Sequence, residues 1–151
     1  MASFPRVISP IRTLFTRDRI EIALISVELW PKHVVLRLAA LPNEIADDRL
    51  RQHNAAFAQW GHLLVQAGKG VAGDPPEQPG TRLLAPLDIA LKDDAGTTYA
   101  PCSSNIGGSG SEWHGDWFFS GDVPASVRRL TVQVSSPEGE AATVVLDLAS
   151  S

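Results

Sequence analysis

The sequence predicts a mainly β protein, a two-sheet antiparallel sandwich with one amphipathic helix inserted between its strands. Three observations lead there. About seven short stretches alternate apolar and polar side chains, with turn-forming residues between them. Residues 43–66 alone change to a 3.6-residue rhythm. Strands in the majority around a single helix describe two packed sheets rather than repeated βα units.

Residues 1–19, MASFPRVISPIRTLFTRDR, read as an N-terminal extension, with prolines and arginines where a signal peptide carries an unbroken apolar stretch. IEIALISVELW (20–30) follows, rich in β-branched residues. Ile20, Ile22 and Leu24 alternate in one phase and Ile25, Val27 and Leu29 in the other. A phase change within one strand predicts a bulge or a passage between sheets. HVVLRLAAL (33–41) then sets Val34, Leu36 and Leu38 on one face and Arg37 on the other, so a turn at Pro31 and Lys32 makes a hairpin of the two stretches.

In NEIADDRLRQHNAAFAQWGHLLVQ (43–66), Ala46, Leu50, His53, Phe57, Trp60, Gly61 and Leu64 fall on one side at 100° per residue. Asp47, Asp48, Arg51, Gln52, Gln59, His62 and Gln66 fall on the other. Asn43 is the expected N-cap. GKGVAGDPPEQPGTR (68–82) is a Gly/Pro-rich linker expected to hold neither helix nor central strand, so residues 43–82 read as a helix-plus-linker insertion. The strand pattern returns at Leu87, Ile89 and Leu91, and Asp94, Ala95 and Gly96 predict a tight hairpin turn before Thr97, Thr98 and Tyr99. EWHGDWFF (112–119) sends Trp113, Gly115, Trp117 and Phe119 one way and Glu112, His114, Asp116 and Phe118 the other. RRLTVQVSS and AATVVLDL, joined by SPEGE, form the last predicted pair.

At 151 residues the chain is the size of one domain, residues 1–151, able to bury a core without metal or disulfide staples. The formal charge is −4 and the basic residues are scattered, which argues against a nucleic-acid surface. Cys102 is the single cysteine, so neither an internal disulfide nor a cysteine zinc cluster can form. No stretch of about 18 uncharged apolar residues suggests a membrane span. A cytoplasmic protein in a reducing compartment, with no membrane partner, is the expectation.

NIGGSGSE lacks the Gly-Lys-Ser/Thr ending of a phosphate-binding P-loop, and Ser111 stands where the Gly-x-Ser-x-Gly of hydrolases needs glycine. A flexible connection over 105–112 is the plainer reading, with a backbone anion nest as the alternative. Glu112, His114 and Asp116 share one strand face about 7 Å apart, so two of them could ligate an ion if another strand supplied the rest. No other strand offers such ligands, and a solvated polar face accounts for all three. Trp113 and Trp117 are either core residues, as large aromatics in sandwiches usually are, or a platform on which sugar rings stack. His53 reads as a core-edge residue, and His33 and His62 as solvated ones. Cys102 could be a nucleophile only beside a base, with His114 nearest in sequence; a lone cysteine is more often a small buried hydrophobe.

From residue 84 onward, PLDIALKDDAGTTY and DWFFSGDVPASVRRLTVQV resemble bacterial immunoglobulin-like sandwich domains, in particular the accessory domains of uncharacterised families. The matching features are a strand, an Asp-x-Gly turn and an aromatic, then an aromatic strand, a Pro-containing connection and an alternating strand. The resemblance implies fold rather than activity. With no nucleophile, base and orienter to assemble, the expected function is a non-enzymatic module without cofactor that binds a protein partner or self-associates. The expected interface is the exposed helix face at Arg51, Gln59 and His62, or the glycine segment. The rival expectation is a metal or carbohydrate site at Glu112, Trp113, His114, Asp116 and Trp117.

Overall fold

A computed structural model describes residues 5–110 and 112–148. Residues 1–4 of the expected extension and Ser111 of the expected glycine loop lie outside the described residues. In chain order the elements are β1 (Arg6–Ile8), β2 (Arg12–Arg17), β3 (Ile20–Leu29), β4 (His33–Ala40), α1 (Glu44–Ala67), α2 (Lys69–Ala72), α3 (Pro79–Leu84), β5 (Asp88–Asp93), β6 (Ala100–Ser109), β7 (Glu112–Ser120), β8 (Arg129–Ser135) and β9 (Ala141–Asp147). The strands form two antiparallel sheets. The larger runs β1-β3-β4-β7-β6, with β2 also on β3; the smaller runs β5-β8-β9.

The phase change in β3 is a bulge. The register with β4 slips between Leu24 and Ser26, so Ile25 is the extra residue and Ile20, Ile22, Leu24, Val27 and Leu29 all stay buried. The N-terminal region is not a mere extension. β1 pairs the end of β3 (Arg6 with Leu29) and β2 pairs its beginning (Arg17 with Ile20). The two divide one long strand between them, separated by Pro10 and by Ile11, whose φ of 43° is unusual for a β-branched residue.

Both sheets contribute to a single core, in which Leu36, Leu38 and Phe119 of the large sheet meet Leu130, Val132 and Val134 of the small one. Three strands are too few to cover the inner face of the larger sheet. Helix α3 fills the gap, packing on β4, β6 and β7 with Leu83 and Leu84 buried. The linker therefore does hold helix, contrary to its composition. Pro79 stands in the first turn of α3, where its missing N–H costs nothing. A Cβ on Gly80 would lie 2.7 Å from Trp113 Cγ, so glycine is what lets the helix rest on the indole.

Arg17 fastens this arrangement. Its guanidinium donates to the Arg82 carbonyl at 3.2 Å and to the Leu83 carbonyl, and reaches Glu138 between β8 and β9 at 3.0 and 3.2 Å. Those hydrogen bonds hold the Glu138 carboxyl below its ordinary range. The predicted hairpin at Asp94–Gly96 is reduced to one bridge, Lys92 with Thr98, because β5 pairs β8 while β6 belongs to the other sheet. What organises this turn is Asp93, which accepts from Ala95 N–H at 3.0 Å, Thr97 N–H at 2.9 Å and Tyr99 O–H at 2.7 Å.

Candidate functional site

Helix α1 begins where β4 ends and is tied there by its cap. Asn43 Oδ1 accepts from Ala46 N–H at 2.8 Å, and its Nδ2 donates to the Arg19 carbonyl at 3.0 Å, joining the helix to the β2–β3 turn. From this anchored start α1 passes over α3 and Trp113. Of its 24 residues only Ala46 and His53 are buried. Its main packing partners are α3 and α2, not a strand.

His53 divides two grooves. On one flank Arg49, Gln52 and Ala56 face Glu77 and Arg82 across a cavity of about 650 Å³, with Asp18 of the β2–β3 turn at its margin. On the other flank Leu50, Asn54 and Phe57 face the backbone of Gly107 and Gly108 across about 410 Å³. His53 and Trp113 line both. Trp113 is fixed by the hydrogen bond from its Nε1 to the Gly110 carbonyl, 3.0 Å. His53 is 9% exposed and makes no hydrogen bond or ion pair with a described residue. Among the described residues no buried side-chain nitrogen or oxygen is sealed off without a partner, so the His53 ring nitrogens keep some contact with solvent.

An aromatic path leads outward from here. The His53 and Phe57 rings lie 5.9 Å apart and those of Phe57 and Trp60 5.3 Å apart. Trp60 Nε1 then donates to the Gly73 carbonyl at 3.0 Å, folding α2 back on the end of α1. This α1–α2 arm leaves Phe57, Leu63, Val65 and Val71 exposed, Val65 to 87%.

The sequence-predicted residues of β7 separate by face. Trp113 and Trp117 are 5% and 8% exposed and belong to the core. They are therefore no platform for sugar rings, and the carbohydrate reading is corrected: the face they share with Phe119 meets the second sheet and α3. Glu112, His114 and Asp116 lie on the outer face. Asp116 is held by Arg37, with Nε–Oδ1 at 2.7 Å and Nη2–Oδ2 at 3.2 Å, and these bonds raise the Arg37 pKa against the opposing effect of burial. The cross-strand neighbours of His114 are Ala39 and Gly107, neither of which can ligate. Among the described residues no three His, Cys, Asp or Glu come together as a metal site.

The glycine segment is strand rather than loop. Asn105 to Ser109 continue β6 along β7 as far as the Ser109–Glu112 pair. Gly108 sits at φ 134°, and a Cβ there would lie 2.0 Å from the Glu112 carbonyl oxygen, so pairing this close to the turn requires glycine. Cys102 is exposed rather than buried, at the register slip between Pro101 and Ser103. Ser103 pairs with Phe118, four residues from His114, which places that base about 13 Å away along the ladder. Arg51, Gln59 and His62 are exposed on α1, Arg51 paired with Asp48. Spacing gave no sign of the groove residues Asp18, Glu77 and Arg82, because they come from three separate segments that meet α1 only in the fold.

This mainly β class, two antiparallel sheets with three helices, is as far as comparison carries the assignment. No family model matches the sequence, and no curated protein is similar to it. Among solved structures, the crystal structure of the conserved domain protein from Bacillus anthracis is similar, with a TM-score of 0.52 at 12% identity. The match covers 98% of this chain and 50% of that one, so this chain spans about half its length. At such identity the likeness concerns the fold alone. No helix is long and apolar enough among the described residues to cross a membrane.

Proposed function

We propose that the chain is a non-enzymatic interaction module, an immunoglobulin-like sandwich whose docking element is the α1–α2 arm. The observation that carries this is the mismatch between the length of α1 and its burial. Twenty-four residues of amphipathic helix bury two side chains, while Phe57, Leu63, Val65 and Val71 stand in solvent. A soluble surface helix ordinarily turns its apolar stripe inward, whereas Phe57 of this stripe, with Leu63, Val65 and Val71 elsewhere on the arm, offers exposed apolar side chains to a contact. The occupant is a protein partner or a second copy laying an apolar face on the arm. Arg51, Gln59 and His62 then form its polar rim. The exposed thiol of Cys102 suits a reducing cytoplasm.

Site-specific photocrosslinking in the native cell tests the reading. A photoreactive residue at Val65 or Val71 is expected to give one adduct of discrete mass, and the same residue at Gln133 on the small sheet none. Equal labelling at all three positions, or none at any, removes the arm as a docking element.

A further inference from the structure

We infer that the larger groove beside His53 is a binding site for a small zwitterion with an apolar body, of the size of a di- or tripeptide. Its lining carries two positive and two negative side chains that do not find each other. Arg49 on α1 and Arg82 on α3 make no ion pair with a described residue, and neither do Asp18 and Glu77, although all four line the same cavity. The formal charge of the lining is therefore balanced while its charges stay separated, beyond the 4.0 Å at which an ion pair forms. An anion alone would meet two carboxylates, and a cation alone two guanidinium groups. A dipolar molecule satisfies both: arginine forks suit a carboxylate, and the acids suit an ammonium.

The remaining lining fits the rest of such a molecule. His53, nine-tenths buried and without a hydrogen-bond partner among the described residues, lines the cavity beside Gln52. A polar group entering the cavity can hydrogen-bond this unpartnered imidazole. Trp113, Ile20 and Leu83 supply an apolar floor. About 650 Å³ exceeds a single amino acid and lies within the range of small-molecule sites. Asp18 is held at φ 50° in the β2–β3 turn that borders the cavity. This inference does not rest on the arm as a docking element, and either can fail without the other.

Calorimetric titration with dileucine, N-acetyl-dileucine, dileucine amide and inorganic phosphate tests it on the full chain. Dileucine is expected to bind saturably, with the acetylated and amidated forms each weaker by tenfold or more. Arg82→Ala and Glu77→Gln, both exposed and without side-chain partners, are expected to weaken it similarly with an unchanged circular dichroism spectrum. In unsubstituted protein the imidazole nitrogen resonances of His53 are expected to move with dileucine while those of His33 and His62 stay. Binding of N-acetyl-dileucine or phosphate as tight as that of dileucine overturns the zwitterion. Absence of saturable binding, or saturation without a shift at His53, overturns the site.

Discussion

β7 and α1 are both amphipathic segments, and they come together at the grooves lined by Trp113 and His53, yet they use their apolar faces in opposite ways. β7 buries Trp113, Gly115, Trp117 and Phe119 without a break, against a second sheet and α3. α1 buries only Ala46 and His53 and then runs on, carrying Phe57 of its stripe and the neighbouring Val65 into solvent. The same periodic signal thus records a core in one element and a surface in the other. Periodicity says which residues share a face; only the presence of a second layer decides whether that face is satisfied.

The comparison breaks most readily on stability. Trp117→Ala is expected to cost about 3 to 5 kcal/mol, because it removes a large ring from a packed interior. Phe57→Ala is expected to stay within about 0.5 kcal/mol, as substitutions outside the core do. Urea unfolding monitored by circular dichroism measures both. A cost for Phe57→Ala approaching that for Trp117→Ala would place the arm in the core and remove the basis of the proposed function.

What could be read in advance follows the same division. The β3–β4 and β8–β9 hairpins and the Asn43 cap were legible because each rests on neighbours in sequence, and the phase change in β3 announced a bulge or a passage between sheets, of which the bulge is found. β1 and β2 were not, since RVI and RTLFTR are too short to show a period and gain their identity only by pairing with β3. The glycines of β6 suggested a loop by composition, but the pairing with β7 and the close approach at Gly108 turned them into strand. α3 was hidden by its proline and glycine, which serve there as first-turn residue and contact point on Trp113. Of the candidate site, His53 and Trp113 were noticed singly. The groove between them was not, because its charges reside on four segments.

The turn at Asp93 sharpens the comparison at an intermediate scale, since it is a polar group that behaves like core. Burial drives its carboxyl upward, but the hydrogen bonds from Tyr99, Thr97 and Ala95 outweigh that and leave it below its ordinary range; burial and the same Asp93 bond push Tyr99 well above its own. Tyr99→Phe is expected to cost roughly 1.5 to 3 kcal/mol at neutral pH, the range for a hydrogen bond to a charged group. A depressed folded-state carboxyl stabilises above its unfolded pKa near 4 and loses that contribution as pH falls through the folded value. A raised tyrosine stabilises below its unfolded pKa near 10 and loses that contribution as pH climbs further. The gap between the two proteins should therefore be widest between these limits and narrow on both sides. A gap independent of pH from 2 to 11 would show that the phenol contributes packing only.

The smallest expected effect lies on the outer face of β7, where Arg37 and Asp116 pair in an open position, with Arg37 47% exposed. Solvent screens such a pair, and holding two side chains in one geometry offsets part of the attraction. A double-mutant cycle with Arg37→Met and Asp116→Asn is expected to give a coupling of about 0.2 to 1 kcal/mol, falling further as salt is raised. This contrasts two faces of one strand: its inner residues determine whether the sheet exists, and its outer pair adjusts it slightly. A coupling above about 2 kcal/mol, insensitive to salt, exceeds what exposed pairs supply. It would mean that the outer face is covered in solution by a second molecule, and the search for the docking surface would move from the arm to the sheet.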